Sequence, residues 1–148
     1  MRAIKVVSPP FSFADSITLD EQGRTRRRFQ MTTDGGVPFT LDLPASRLIR
    51  HGEGLELEDG RIIEVRAEPE PLYELTAKDT QALAALAWQL GNRHLQAQIF
   101  ESRIFIRRDH VIKEMVIGLG ASVEEVEAPF DPQTGAYDQH AGHAHKHS

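Results

Sequence analysis

The chain has 148 residues, 40% of them apolar, and a formal net charge of −5. That length fits one domain or two small ones with a real core, and the negative balance offers no general attraction to nucleic acid or anionic lipid. There is no cysteine, which removes disulfides, thiolate metal sites and cysteine nucleophiles together.

No apolar run approaches the length of a membrane span. Met1-Arg2-Ala3-Ile4-Lys5 has no long apolar stretch behind it, which argues against a secretory signal. A reducing cytoplasm fits the absence of cysteine. Any transition-metal site must then be built from His, Asp and Glu.

The first half reads as strands. Ile17 and Leu19 alternate with polar residues, as do Phe29 and Met31. Asp34-Gly35-Gly36 tolerates positive φ, and Val37, Phe39, Leu41 and Leu43 then keep a period of two, which predicts a hairpin with one buried face. A second hairpin follows, with Leu55 and Leu57 on one arm, Ile63 and Val65 on the other, and Asp59-Gly60 as a type I′ turn. Six or so short strands predict a small all-β sandwich or barrel. Glu68-Pro69-Glu70-Pro71 opposes regular structure and reads as a linker.

Beyond it the period changes. Leu72–Leu75 is a short strand. Thr76 with Asp79 resembles a capping box. Leu83, Leu86, Ala87 and Leu90 recur at helical spacing, with Gly91 as the stop. Residues 96–100 and 103–107 are two strands. Asp109 caps a second helix with Val111, Ile112, Met115, Val116 and Leu119 on a broad apolar face, ended by Gly118 and Gly120. Val123 and Val126 lie in a last strand broken at Pro129. The order is βαββαβ, as in ferredoxin-like domains. The fold class is therefore α+β: a small β-rich domain over residues 1–70, a ferredoxin-like domain over 71–130, and a flexible His-rich tail over 131–148.

Histidine is the chemical signal. Four of seven histidines, His140, His143, His145 and His147, fall in the last nine residues among Ala and Gly. Such a segment has no side chain to pull it into a core. Neutral imidazole suits nickel, copper and zinc, and the alternate spacing from His143 to His147 lets a flexible chain wrap one ion. Among the other three, His51 lies in a loop and reads as solvated. His94 follows a helix stop, where spacing alone ranks a structural role ahead of a ligand role. One histidine cannot hold a transition metal, so a site at His94 needs a second copy across a two-fold homodimer. His110 heads the second helix, whose dipole disfavours imidazolium while Asp109 acts in the opposite direction. It is either a ligand or an exposed first-turn histidine. Trp88 reads as core or interface, and Arg26-Arg27-Arg28 as a solvated strand edge. No phosphate loop, serine elbow or His-Glu-x-x-His motif appears.

Four features together resemble the urease accessory protein UreE family: Gly91-Asn92-Arg93-His94; Asp109-His110-Val111 at a helix start; Ala128-Pro129-Phe130-Asp131-Pro132 with Gly135-Ala136-Tyr137; and the histidine tail. The resemblance covers essentially the whole chain. It implies a β-rich domain like chaperone peptide-binding modules, a ferredoxin-like domain that forms the homodimer, and a nickel metallochaperone rather than an enzyme. It implies Ni²⁺ as cargo (Zn²⁺ or Cu²⁺ in vitro), with His94 as the shared ligand, His110 assisting and the tail adding capacity. The implied partners are the accessory GTPase and the urease apoprotein complex. Many family members have proline two residues after the histidine, where this chain has Gln96, and the loop is expected to be looser for it. Two rival readings are a peptide-binding scaffold with incidental metal, and a hydrolytic metalloenzyme. The second lacks a carboxylate at motif spacing to serve as base.

Overall fold

A computed structural model describes residues 1–133. The chain divides into two compact units, Met1–Glu68 and Pro69–Ser148.

The first unit is a six-stranded sheet: β1 (Arg2–Val7), β2 (Asp15–Leu19), β3 (Arg28–Thr32), β4 (Pro38–Asp42), β5 (Gly54–Leu57) and β6 (Ile62–Ala67), with a four-residue helix α1 (Glu21–Arg24) between β2 and β3. The spatial order is β2-β6-β5-β1-β4-β3. β1 runs parallel to β4 and β2 parallel to β6; the other pairs are antiparallel. Ile17, Met31, Phe39, Leu41, Leu55, Leu57, Ile63 and Val65 alternate onto one face and form the core, so period-two patterning located it.

The sheet curls until its two edges meet. Asp34, in the β3–β4 turn, donates its N–H to Ser16 O at 2.7 Å. Its carboxylate accepts from Ser16 Oγ at 2.7 Å and from Thr18 N at 3.2 Å. Ser16 O and Thr18 N, on the outer side of β2, thus bond to the backbone and side chain of Asp34 where a seventh strand would otherwise lie.

Both hairpins turn in the same way. Gly60 N donates to Leu57 O, and Leu57 N donates to Arg61 O. Gly60 has φ +89°, while Asp59 is absent from the positive-φ positions. The turn is therefore a three-residue loop with glycine in the left-handed position, not type I′. Gly36, with φ +92°, repeats the arrangement between Thr33 and Val37. β1 and α1 escaped the sequence reading because Arg2–Val7 buries only Ala3 fully and α1 is a single turn. His51 is more than solvated: its Nδ1 accepts from Ala67 N at 2.9 Å and pins the loop to β6.

Arg2 links β1 to two neighbours, Asp42 and Glu58, both at 3.0 Å. The Arg2 hydrogen bond, then the charge of Arg28, hold the Asp42 carboxyl below the usual range. The Arg2 backbone and side-chain bonds do the same for Glu58. A depressed carboxyl contributes stability above its ordinary value and loses it as pH falls through the folded-state value. Acid titration of the whole protein, followed at a signal from the first unit, should therefore lose stability below the ordinary carboxylate range. Asp42→Asn should flatten that acid limb. An unchanged limb in Asp42→Asn would contradict the assignment.

The second unit runs β7 (Pro69–Thr76), α2 (Thr80–Asn92), β8 (Ala97–Ile99), β9 (Ile104–Arg107), α3 (His110–Gly118) and β10 (Ser122–Pro129). Its sheet order is β10-β7-β9-β8, all antiparallel, which is the ferredoxin-like arrangement. Pro69-Glu70-Pro71 is not a linker but the start of β7, paired with β10 through Pro69↔Pro129 and Pro71↔Glu127. β9 joins β7 only from Leu72 onward. One side of β7 therefore has no ladder at the prolines, and a missing N–H costs nothing there. The helix cap is Asp79, not Thr76: its carboxylate accepts from Ala82 N at 2.8 Å.

Tyr73, Leu75, Ile104 and Ile106 face the helices and pack with Leu83, Leu86, Leu90 and Val116. The apolar face of α3 is narrower than its spacing implied, since Val111 and Leu119 are exposed. Trp88 is 66% exposed, which rules out the core reading. The opposite face of the sheet holds a smaller core of Leu72, Phe105 and Phe130. Phe130 is fully buried although it follows the last strand. Asp131 N then donates to Gln98 Oε1 at 2.9 Å and Gln133 N to Ala97 O at 2.8 Å. Residues 131–133, expected to begin the tail, are instead bonded to β8.

Candidate metal-binding site

His94 owes its position to the way α2 ends. Gly91 does not stop the helix, which runs on to Asn92 with Arg93 as C-cap. Leu95 N donates to Leu90 O, and His94 N donates to Gly91 O. Those two bonds define a Schellman motif, in which the residue after the cap adopts the left-handed conformation. That residue is His94, with φ +59°, alone among the described non-glycine residues. The other helix shows the ordinary solution. Gly120, with φ +96°, ends α3, and Gly120 N and Ala121 N donate to Ile117 O and Val116 O. A residue with a Cβ costs about 1–2 kcal/mol there. Strained non-glycine residues of this kind gather at functional sites.

Beside His94 lies a hollow of about 320 Å³. His94, Leu95 and Gln96 form one wall, and Arg107, Arg108 and Asp109, at the junction of β9 and α3, form another. Gln96 is not a loose point. Its Oε1 accepts from Arg107 Nη1 at 2.6 Å. Arg107 in turn pairs with Glu70 at 2.8 Å and stacks over the Phe130 ring at 4.7 Å. The loop is thus held by a side-chain bond in place of a proline ring. Arg108 donates to Leu72 O and Val126 O, fixing the second wall to β7 and β10. With two guanidiniums in its walls, the hollow offers no negative field to draw in a cation, and the imidazole of His94 is its one transition-metal donor of the nitrogen type.

Asp109 lines the hollow, but its carboxylate is turned to the helix: it accepts from Val111 N at 2.9 Å and Ile112 N at 3.1 Å. It serves as the N-cap expected from the sequence. His110 follows it on α3 and points to solvent, with its side chain 82% exposed and Nε2 at 2.9 Å from Glu114 Oε2. It does not line the hollow with His94. Among the described residues no three His, Asp or Glu side chains come together as a metal-binding group. His140, His143, His145 and His147 lie outside the described residues. The sequence reading missed Arg107 and Phe130. Only the Pro-Phe-Asp-Pro run hinted at either.

The fold is that of a two-unit protein, a β-rich unit followed by a ferredoxin-like unit that carries a left-handed histidine at a helix end. The N-terminal domain of the UreE urease accessory protein matches residues 10–68, and its C-terminal domain matches residues 70–148. The chain therefore belongs to the UreE urease accessory protein family. A urease accessory protein UreE of Chelativorans sp. (strain BNC1) is 56% identical over 99% of this chain and 93% of its own length. Those of Rhodopseudomonas palustris (strain HaA2) and Bradyrhizobium sp. (strain ORS 278) are 53% and 55% identical over 89% of this chain. The chain spans 62% of the length of each of these last two. Among the described residues no helix is long and apolar enough to cross a membrane.

Proposed function

We propose that this chain is a non-enzymatic nickel carrier that delivers Ni²⁺ during assembly of the urease active site in the cytoplasm. The observation that carries the reading is His94 in the left-handed position that ends α2, where glycine ends α3. Stability alone favours glycine there, so the imidazole is retained for its chemistry. One imidazole cannot keep a transition metal. A homodimer formed through the second unit would supply the second His94 by two-fold symmetry; the tail histidines would complete the shell, with His110 joining only if its side chain swings away from Glu114. Imidazole donors exchange faster than thiolate cages, which suits handing Ni²⁺ to the accessory GTPase and the urease apoprotein by ligand exchange. Zn²⁺ and Cu²⁺ would bind the same donors in vitro.

Calorimetry with Ni²⁺ tests the reading. His94→Ala should weaken the tightest site by about 100-fold or more, since losing a ligand outweighs losing an outer-shell partner. Removing residues 138–148 should lower the number of ions bound and spare the tightest site. Unchanged affinity and stoichiometry in His94→Ala would overturn the proposal.

A further inference from the structure

We propose that Arg107 is a positioning residue for His94, and that Glu70 and Phe130 hold Arg107 for that task. The register of the sheet brings these residues into line. Ala97 pairs with Ile106, so one step back along the same antiparallel ladder Gln96 stands opposite Arg107. On its other side β9 pairs Arg107 with Leu72. Glu70 lies two residues before Leu72 on β7 and therefore on the same face. That is the face away from the helices, where Leu72, Phe105 and Phe130 form the smaller core. Glu70, Arg107 and Gln96 thus make a polar row across β7, β9 and the lead-in to β8.

Each member of the row constrains the next. Glu70 accepts from Arg107 Nε at 2.8 Å and from Nη2 at 3.3 Å, a two-bond contact that fixes the plane of the guanidinium. The Phe130 ring covers that plane at 4.7 Å. So held, the guanidinium presents Nη1 to Gln96 Oε1 at 2.6 Å. Gln96 is exposed, and packing does little to hold it. His94 then sits between two anchors. On one side its own N–H bonds to Gly91 O, and the Leu95 N–H bonds to Leu90 O. On the other the chain is tied at Gln96, with only Leu95 between. A left-handed residue at φ +59° persists only where its surroundings hold it. The row supplies that hold from the strand side. A donor already in place loses less conformational freedom when it takes a metal, so the tie appears as affinity.

This inference rests on the carrier reading for its purpose but not for its geometry. Two variants probe it in the full chain without changing the charge around the hollow. Gln96→Met keeps the length of the side chain and loses the acceptor. Arg107→Lys keeps the positive charge and loses the planar fork. In metal-free protein, each should speed amide hydrogen exchange at His94 and Leu95 by about three- to ten-fold, the worth of one such hydrogen bond. Exchange at Ala82 and Leu83, bonded to Asp79 at the start of α2, should not change. Unchanged rates at His94 and Leu95, or equal acceleration at both ends of α2, overturn the role of the row. In calorimetry, each variant should weaken the tightest Ni²⁺ site by about three- to ten-fold, and the double variant should be no weaker than either alone. A merely structural Arg107 would instead cost the same with Gln or Met at position 96, and that additivity, or full affinity in both single variants, overturns the positioning role. If His94→Ala binds Ni²⁺ like the wild type, the carrier reading fails, while the exchange rates still report on the row.

Discussion

His94→Gly is expected to produce a protein that melts higher than the wild type yet loses its tightest Ni²⁺ site. The imidazole disappears, and so does the Cβ that strains the left-handed backbone at φ +59°. Relief of about 1–2 kcal/mol is partly offset by the greater freedom of glycine in the unfolded chain, about 0.5–1 kcal/mol. A net gain centred near ~0.75 kcal/mol should raise Tm by roughly 3–6 °C for a unit of this size. His94→Ala is the control. It also removes the imidazole but keeps a Cβ, so it should melt near the wild type. Thermal unfolding in the presence of a chelator makes the comparison. If the glycine variant melts no higher than the alanine variant, the strain at His94 is not real, and the argument that chemistry keeps histidine there goes with it.

Phe130→Ala should be the most damaging of the substitutions considered, at about 3–5 kcal/mol. Phe130 is fully buried between Leu72 and Phe105 on the sheet face that no helix covers. Truncation would leave a cavity that the β-strands cannot close, and would strip Arg107 of the ring beneath its guanidinium. Phe29→Ala, at a phenylalanine 45% exposed on β3, should change stability by no more than about 0.5 kcal/mol. Urea unfolding of the two variants in parallel checks both figures. Similar losses in the two would mean that residues 130–133 contribute nothing to the second unit.

Much of the architecture was legible because patterning by face is a strong signal. Leu55, Leu57, Ile63 and Val65 alternate and are buried; Leu83, Leu86 and Leu90 recur at helical spacing and are buried. Asp109 as an N-cap needed only its place before an apolar helix. What misled was local chemistry overridden by neighbours. Pro69 and Pro71 argue against a strand until β9 is seen to stop short of them. Gly91 looks like a helix end until the backbone bonds carry the helix on to Asn92 with Arg93 as its cap. Thr76 and Asp79 both suit a cap, and only the bond to Ala82 decides between them. The candidate ligand was visible as a histidine in a suggestive motif. Its strain, and the tie from Gln96 to Arg107, arise between residues distant in sequence, where no spacing rule reaches. Phe130 was quoted as part of a motif, but its burial depends on a chain crossing that composition does not encode.

The Asp34 carboxylate and its own N–H occupy the backbone groups of Ser16 and Thr18 that β2 would otherwise present to solvent. An exposed row of strand donors and acceptors is a template on which a second molecule can propagate a ribbon. With one turn residue as a plug, the fold denies that template at Ser16 and Thr18. This guards the first unit against edge-to-edge self-association.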